Sequence, residues 1–263
     1  MMPRRIPFLA VAFLVAAAPL SQAVTFLIDL GANSASSSYA TGTWNTYSHT
    51  SIKVASVLKD SANNTTTVGF VGAGTINTGG SPGSGTYNTA GIPSGLSWLA
   101  TPSAPAAADD WLYTNNTTNG DVSHTYTFSN LIAGNVFSLD LVSSRNTGTA
   151  KGLYAYSLDG GSSWIGFNVV DSNGVAVTSN GWGTNTTYTQ TFDSQTQGYS
   201  AFRYMNASNV TLTGDKLMVL VQDVGNDLSY AGANAMRLTV VPEPGTTILS
   251  LLGLGIAAFR RKR

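Results

Sequence analysis

The chain has 263 residues, no cysteine, and 13 basic against 13 acidic residues. The absence of cysteine excludes disulfide scaffolds, thiol catalysis and cysteine-ligated zinc or iron–sulfur centres. Six of the cations lie in the terminal segments, so residues 24–240 keep seven basic and twelve acidic groups, a net charge of −5. That charge argues against nucleic acid and anionic membrane surfaces as partners of this part.

Residues 1–23 have the pattern of a cleavable export signal. Arg4 and Arg5 precede an apolar run over residues 8–18, and Ser21-Gln22-Ala23 places small residues where signal peptidase reads them. We expect this helical segment to be removed by signal peptidase and the mature chain to begin at Val24. The alternative, a retained membrane anchor, is disfavoured because the apolar run is short.

Between the two ends, the pattern predicts many short strands separated by turns rich in Gly, Asn, Asp and Ser. Residues 72–93 read as a long loop or ragged edge, and residues 98–111 as a surface crossing. We find no amphipathic helix, and we predict an all-β fold, a β-sandwich of the jelly-roll type. The predicted strands are residues 25–30, 52–58, 67–71, 123–128, 136–142, 152–158, 164–170, 186–192, 201–205, 210–212, 217–221 and 236–241.

One local motif is sharper than the strand pattern. Residues 157–164 read Ser-x-Asp-x-Gly-x-Ser-Trp, in which Ser157 and Asp159 can bond turn backbone, Gly161 can take a positive φ and Trp164 can pack beneath the turn. The motif resembles the Asp-box of sialidase-type propellers, where it usually repeats. Because the chain has a single copy and no blade-length repeat, we expect a structural turn and no sialidase site.

The residues that carry acid–base chemistry are sparse. The histidines are His49 and His124, and no nucleophile elbow of the Gly-x-Ser-x-Gly type stands between a strand and a helix. Glycosidases usually need two facing carboxyl groups, whereas Asp109 and Asp110 are neighbours and no Glu precedes the tail. We therefore predict that the protein is not an enzyme, and we assign no catalytic residue.

Two kinds of binding site remain as candidates. Asp223 and Asp227 offer oxygens to Ca²⁺, although the ligand spacing is incomplete and a solvated turn is the favoured alternative; no other cofactor is expected. Trp44, Trp111 and Trp182 lie in or near loop-like segments, where a flat ring can stack on the apolar face of a sugar. Burial of these rings in the core is the competing expectation.

The C-terminal tail has three parts in a fixed order. Pro242-Glu243-Pro244 ends the folded part, and residues 245–259 form an uncharged span. As a helix rising about 1.5 Å per residue, this span crosses only part of a bilayer core of roughly 30 Å, so we predict a short transmembrane helix. A buried core segment is the alternative. A basic cluster favours the membrane and places the end on the cytoplasmic side: Arg260, Arg261, Lys262 and Arg263.

This ending resembles the PEP-CTERM sorting signal of Gram-negative bacteria. The resemblance implies recognition by an exosortase-type membrane protease, which cuts near the tripeptide and passes the protein to the cell surface or extracellular matrix. The inner membrane is then a transient partner. The predicted organisation is a signal peptide over residues 1–23, a β-sandwich over 24–240 and a sorting tail over 241–263.

The sandwich itself loosely resembles galactose-binding-like domains. The residues that carry this likeness are 27–31 (Leu-Ile-Asp-Leu-Gly), 126–131 (Tyr-Thr-Phe-Ser-Asn-Leu) and 235–240 (Ala-Met-Arg-Leu-Thr-Val). The preferred hypothesis is an exported surface or matrix protein that serves adhesion or structure, with extracellular polysaccharide as a candidate ligand. The alternative is a secreted glycan-active hydrolase or lyase, or its carbohydrate-binding module.

Overall fold

The structure is a computed structural model that describes residues 22–31, 43–79, 94–99, 111–115, 122–145, 151–171, 173–177, 191–223 and 230–243. One compact unit spans Ala23–Glu243. Both predicted terminal helices lie outside the described residues. None of the helical segments in these described ranges is long and apolar enough to span a membrane.

The described chain is built almost entirely of strands. Helical geometry is limited to 3₁₀ turns at Ser51–Lys53 and Ser94–Leu99 and a π-type turn at Ser194–Ser200. The strands are β1 Val24–Leu30, β2 Trp44–Tyr47, β3 Ser56–Lys59, β4 Thr65–Gly74, β5 Asn77–Gly79, β6 Trp111–Asn115, β7 Ser123–Ser129, β8 Val136–Val142, β9 Lys151–Ser157, β10 Ile165–Gly166, β11 Asn168–Val170, β12 Thr191–Asp193, β13 Tyr204–Thr211, β14 Leu217–Asp223, β15 Tyr230–Ala233 and β16 Ala235–Val241.

These strands form two main sheets and a small one. The first sheet has the order β11-β13-β8-β16-β1-β2, and the second has the order β10-β9-β14-β7-β4-β3 with β12 paired to β9. The small sheet has the order β15-β6-β5. The chain passes between the main sheets at β7–β8, β8–β9 and β13–β14, which is compatible with a jelly roll. The prediction of an all-β sandwich is confirmed.

The main core lies between the two large sheets because their strands alternate apolar and polar residues. In β8, Phe137, Leu139 and Leu141 are fully buried and belong to the same cluster as residues of the second sheet. Across the core, the ring of Tyr47 in the first sheet lies 5.0 Å from that of Phe70 in the second, measured between centroids. The predicted alternation of residues 136–142 therefore sets the inward face of a central strand.

A second apolar cluster covers the outer face of the first sheet. Leu96, Trp98 and Leu99 of the 3₁₀ segment pack there, and the Trp98 ring stacks on Trp44 with centroids 5.9 Å apart. The Arg237 guanidinium lies 5.1 Å from the centre of the Trp98 ring. This segment acts as a strap across the sheet, so the first sheet is apolar on both faces at this point.

A partly buried ion pair lies beside the strap. In the outward-facing row of the first sheet, the Asp140 carboxylate accepts from Arg237 Nη2 at 2.6 Å and Nε at 2.8 Å. Its other oxygen accepts from Asn206 Nδ2 at 2.6 Å. Both carboxylate oxygens are thus satisfied, and three neighbouring strands are joined through one side chain.

Several predicted strands are wrong in part. Residues 201–205 and 210–212 were predicted as two strands, but they fall in a single strand, β13, which runs from Tyr204 to Thr211. Of residues 52–58, only Ser56 onwards is strand, since Ser51–Lys53 forms a 3₁₀ turn. Residues 164–170 are not one strand, because β10 pairs with β9 in the second sheet while β11 pairs with β13 in the first. Phe167 lies at the crossing and is buried in the core, so its packing divides the segment between the sheets.

The sandwich has two distinct ends. At one end, which we call the tail pole, Val24 pairs with Val240 and Val241 pairs with Val136, beside the turn that contains Ile132. At the other, which we call the far pole, β8 ends at Val142 and Gly152 pairs with Asp223, beside the small sheet. The far pole is thus the end of the sandwich opposite Val241, the last residue of β16.

Candidate functional site

An aromatic and cationic cluster lies on the small sheet at the far pole. Trp111 and Tyr113 project from the same face of β6 with ring centroids 5.3 Å apart. Tyr230 of β15 meets Tyr113 edge-on, also at 5.3 Å. The Arg145 guanidinium carbon lies 5.0 Å from the centre of the Trp111 ring and 4.5 Å from that of Tyr230. We call these four residues the far-pole cluster.

Glycine allows this cluster to form. Gly232 of β15 lies directly beneath the Trp111 ring, and a side chain at this position would meet the ring and the Leu112 carbonyl. Gly152 of β9 likewise leaves room for Ala231, so the small sheet can approach the second sheet closely. A glycine within a strand is a sequence signal for such a close approach, but it also marks bulges and tight bends.

The exposure of the four residues differs. Trp111 is only 1% exposed and forms the floor, whereas Tyr113, Tyr230 and Arg145 are partly exposed. Arg145 Nη1 is buried and has no hydrogen-bond partner among the described residues. Arg145 as a residue is nonetheless partly exposed, and a guanidinium that aromatic rings hold near the surface is suited to bind a hydroxyl or carboxylate.

A buried polar layer supports the cluster from below. The Tyr154 hydroxyl donates to the Gly232 carbonyl at 2.9 Å and lies 2.9 Å from Ser143 Oγ, which in turn lies 2.6 Å from Ser194 Oγ. Burial raises the pKa of Tyr154, so it remains a neutral donor. The Arg145 backbone N–H donates to the Ser194 carbonyl at 3.2 Å, which anchors the arginine at this layer.

The predicted glycan-contact tryptophans have different outcomes. Trp44 is only 7% exposed because the strap covers it, and this prediction is wrong for Trp44. Trp111 is also buried, so its ring cannot stack on a sugar. It packs instead beneath Tyr113 and Arg145. Trp182 lies outside the described residues. Sequence reasoning missed Arg145 and Tyr230, which are brought to Trp111 only by tertiary pairing.

The Asp-box residues form a compact turn at the tail pole. Ser157 Oγ donates to Asp159 Oδ1 at 2.7 Å and accepts from the Gly161 N–H at 2.8 Å. Gly161 has φ +92°, and the Trp164 ring lies beside it. Hydrogen bonds, first of all from the Ser163 hydroxyl, hold the pKa of Asp159 below its usual range. Ser157, Asp159, Gly161 and Ser163 form a hydrogen-bonded network, and Trp164 packs beside it, which is the geometry expected of a structural turn.

Replacing Gly161 by alanine should lower the free energy of unfolding by about 1 kcal/mol, because an L-residue is strained at this positive φ. Urea unfolding of residues 24–243 measures the effect. Gly214→Ala is the matched control, since a Cβ there meets its nearest atom at 3.8 Å and its φ lies outside the left-handed region. Equal stabilities of the two variants would contradict the expectation.

The histidine in β7 is a buried core residue. His124 Nε2 lies 2.9 Å from the Tyr126 hydroxyl, and Nδ1 has no partner among the described residues. Burial lowers the pKa of His124 to about 3, so the ring is neutral near pH 7. A buried neutral imidazole bonded to a tyrosine is a packing element, whereas a general base needs access to substrate.

Of the two predicted Ca²⁺ ligands, only Asp223 lies among the described residues. Asp223 is fully buried at the end of β14, where its N–H donates to the Val122 carbonyl at 2.9 Å, so a solvated turn is wrong for this residue. Asp227 lies outside the described residues. In the part of the chain that the structure describes, no three His, Cys, Asp or Glu residues group as metal ligands.

The sorting tripeptide begins where the last strand ends. Val241 is the final residue of β16, and Pro242 and Glu243 follow it directly. The Glu243 carboxylate lies against Gly134, with Oε2 3.6 Å from the position of a Cβ on that glycine. Pro244 and the four cations of the basic end lie outside the described residues.

Fold and junction together define a β-sandwich protein whose last strand leads straight into a C-terminal signal. A family model described as the PEP-CTERM protein-sorting motif matches residues 240–263. The chain therefore carries a PEP-CTERM sorting motif, which indicates an exported surface protein, transiently anchored in a membrane and processed by exosortase, a membrane protease. The comparisons with curated proteins and with solved structures gave no match.

Proposed function

We propose that this exported protein serves adhesion or structure at the cell surface or in the extracellular matrix, and that it contacts polysaccharide through the far-pole cluster. The observation that carries the proposal is the Arg145 guanidinium held between Trp111 and Tyr230, with Tyr113 beside it. This cluster lies at the end of the sandwich opposite Val241, where the last strand ends. A body attached through its tail would therefore present the cluster outwards.

The chemistry of the cluster favours an acidic sugar. Tyr113 and Tyr230 offer partly exposed rings on which the apolar face of a pyranose can stack. The guanidinium of the partly exposed Arg145 can donate to a carboxylate, and charge-assisted bonds of this kind are roughly twice as strong as neutral ones. We therefore expect a polysaccharide that contains uronic acid to bind more tightly than a neutral one.

Arg145→Ala is expected to weaken binding of a uronate-containing polysaccharide at least about tenfold, since one lost charged contact of about 1.4 kcal/mol changes Kd by that factor. Isothermal titration or a polysaccharide pull-down measures the change. Arg203→Ala removes the same charge from a partly exposed site outside the cluster and should leave binding unchanged. Equal loss in both variants, or no binding by the natural protein, would refute the proposal.

We further infer that the cluster binds glycan without cleaving it. Glycoside hydrolysis uses two carboxyl groups on either side of the bond, whereas this cluster consists of three aromatic rings and one guanidinium. The alternative of a glycan-active hydrolase or lyase predicts new chain ends in the bound polysaccharide. Their release, lost on substitution of an Asp or His, would establish the enzyme instead.

A further inference from the structure

No spacer separates the folded body from the sorting motif. Val241 pairs with Val136 as the last residue of β16, and Pro242, Glu243 and Pro244 alone precede the uncharged span that begins at Gly245. An extended chain covers at most about 3.6 Å per residue, so the Cα atoms of Val241 and Gly245 lie within about 14 Å of each other. A protease that cuts near the tripeptide must therefore work beside the body.

The first and last strands of the body both reach this same pole. β1 and β16 are antiparallel neighbours, and the Cα partner of Val24 is Val240. β16 is a central strand, with β8 on its other side, so its last residues are held from both sides. The last residues of β16 cannot extend away from the sheet towards a protease unless their hydrogen bonds to the neighbouring strands break.

The surface of the tail pole is rigid and partly apolar. The side chains of Ile132 and Val241 are 67% and 44% exposed. The turn that carries Ile132 is fixed, because Asn135 N–H donates to the Ile132 carbonyl at 3.2 Å and Gly134 N–H donates to the Leu212 carbonyl at 2.8 Å. These exposed apolar groups lie within the short reach of the tail.

The charge around this surface favours a protein partner over lipid. The Asp215 carbonyl accepts from the Leu131 N–H, and the Ser61 N–H donates to the Thr25 carbonyl. The turns that contain Asp215 and Ser61 therefore both lie at the tail pole. A net negative pole gains no attraction from anionic headgroups. The charged side chains described there are four acidic and two basic: Asp60, Asp159, Asp215, Glu243, Lys59 and Lys216.

We propose that the tail pole, formed by Val24, Ile132, Gly134 and Val241, docks on the extracytoplasmic face of the membrane protease that cuts the tail. The docking surface belongs to the folded body and adds to the recognition of the motif itself. The docking surface acts only before the cut, while the short uncut tail keeps the body close to the protease. The proposal does not depend on glycan binding at the far pole.

Site-specific photo-crosslinking in the full-length chain tests the contact. A benzophenone amino acid replaces Ile132 in one variant and Val175 in the other, in membranes that contain the protease. Val175 is the matched control, since it is 62% exposed and its turn closes onto Asp171 beside the far pole. We expect an adduct with the protease from position 132 and none from position 175. Adducts with lipid alone, or equal protease adducts from both positions, overturn the proposal.

A spacer experiment tests whether the contact matters for processing. In the direct junction, Ile132→Glu should slow tail removal about fivefold, within the range of a single interface anchor. Val175→Glu should leave the rate unchanged. Ten Gly and Ser residues inserted between Val241 and Pro242 free the motif from the body, and Ile132→Glu should then have no effect. Slowing of the same size with and without the spacer, or no slowing in either, contradicts docking.

Discussion

Lowering the pH from 7 to 4 is expected to reduce the free energy of unfolding by about 3 kcal/mol through His124 alone. Burial lowers the pKa of this ring from 6.5 to about 3. In the unfolded chain, the His124 ring is therefore protonated below about pH 6.5, whereas in the folded chain it stays neutral down to about pH 3. The free energy of unfolding falls as the pH falls through this window, because protonation favours the unfolded state. Each unit of pKa difference corresponds to about 1.4 kcal/mol.

The measurement is urea unfolding of residues 24–243 at pH 7 and pH 4. His124→Phe should remove most of the acid loss, whereas His49→Phe should retain it, because His49 is exposed. The carboxylates are common to all three proteins, so the difference between the variants isolates the buried ring. A pH dependence unchanged by His124→Phe would show that its protonation does not oppose folding.

Replacing Phe70 by alanine should destabilise the body by about 4 kcal/mol, in the range of buried phenylalanine truncations. The ring is 1% exposed and lies against Tyr47, Tyr126 and Phe128, with centroids 5.0, 5.9 and 4.8 Å away. The truncation opens a cavity among three other rings that are fixed in their own strands. Those strands belong to both sheets, so little collapse into the cavity is expected.

Val57→Ala provides the control on the adjacent strand. Val57 pairs with Gly69 at the edge of the second sheet, but its side chain is 57% exposed. We expect a change within about 0.5 kcal/mol. A loss at Phe70 no larger than the loss at Val57 would mean that the aromatic core does not hold the sheets together.

The strands that could be predicted are those with regular alternation. β8 was predicted with its full length, since Phe137, Leu139 and Leu141 alternate with polar residues, and β14 and β16 differ from prediction by one or two residues. β5 and β15 are short and rich in small residues, so they carry no periodic signal. They are ordered by pairing with β6, which is a tertiary effect.

The far-pole cluster was only partly accessible to sequence reasoning. Trp111 is predicted to lie near a loop, but the sequence gives no measure of whether its ring is buried. Arg145 and Tyr230 are 85 positions apart in the numbering of the chain and meet only through the small sheet. By contrast, the Asp-box is local, so spacing alone was sufficient to predict its network.

In the first sheet, β1 pairs with β16, so the first strand of the body lies beside its last strand. The Thr25 and Thr239 hydroxyls bond at 3.1 Å across 214 positions of sequence. Contacts of such long range are slow to form, and β1 has no antiparallel neighbour until β16 has emerged on the far side of the membrane. The nascent body must therefore stay incomplete throughout translocation. A membrane-held tail would keep it in place during that interval, so that release follows maturation of the sheet.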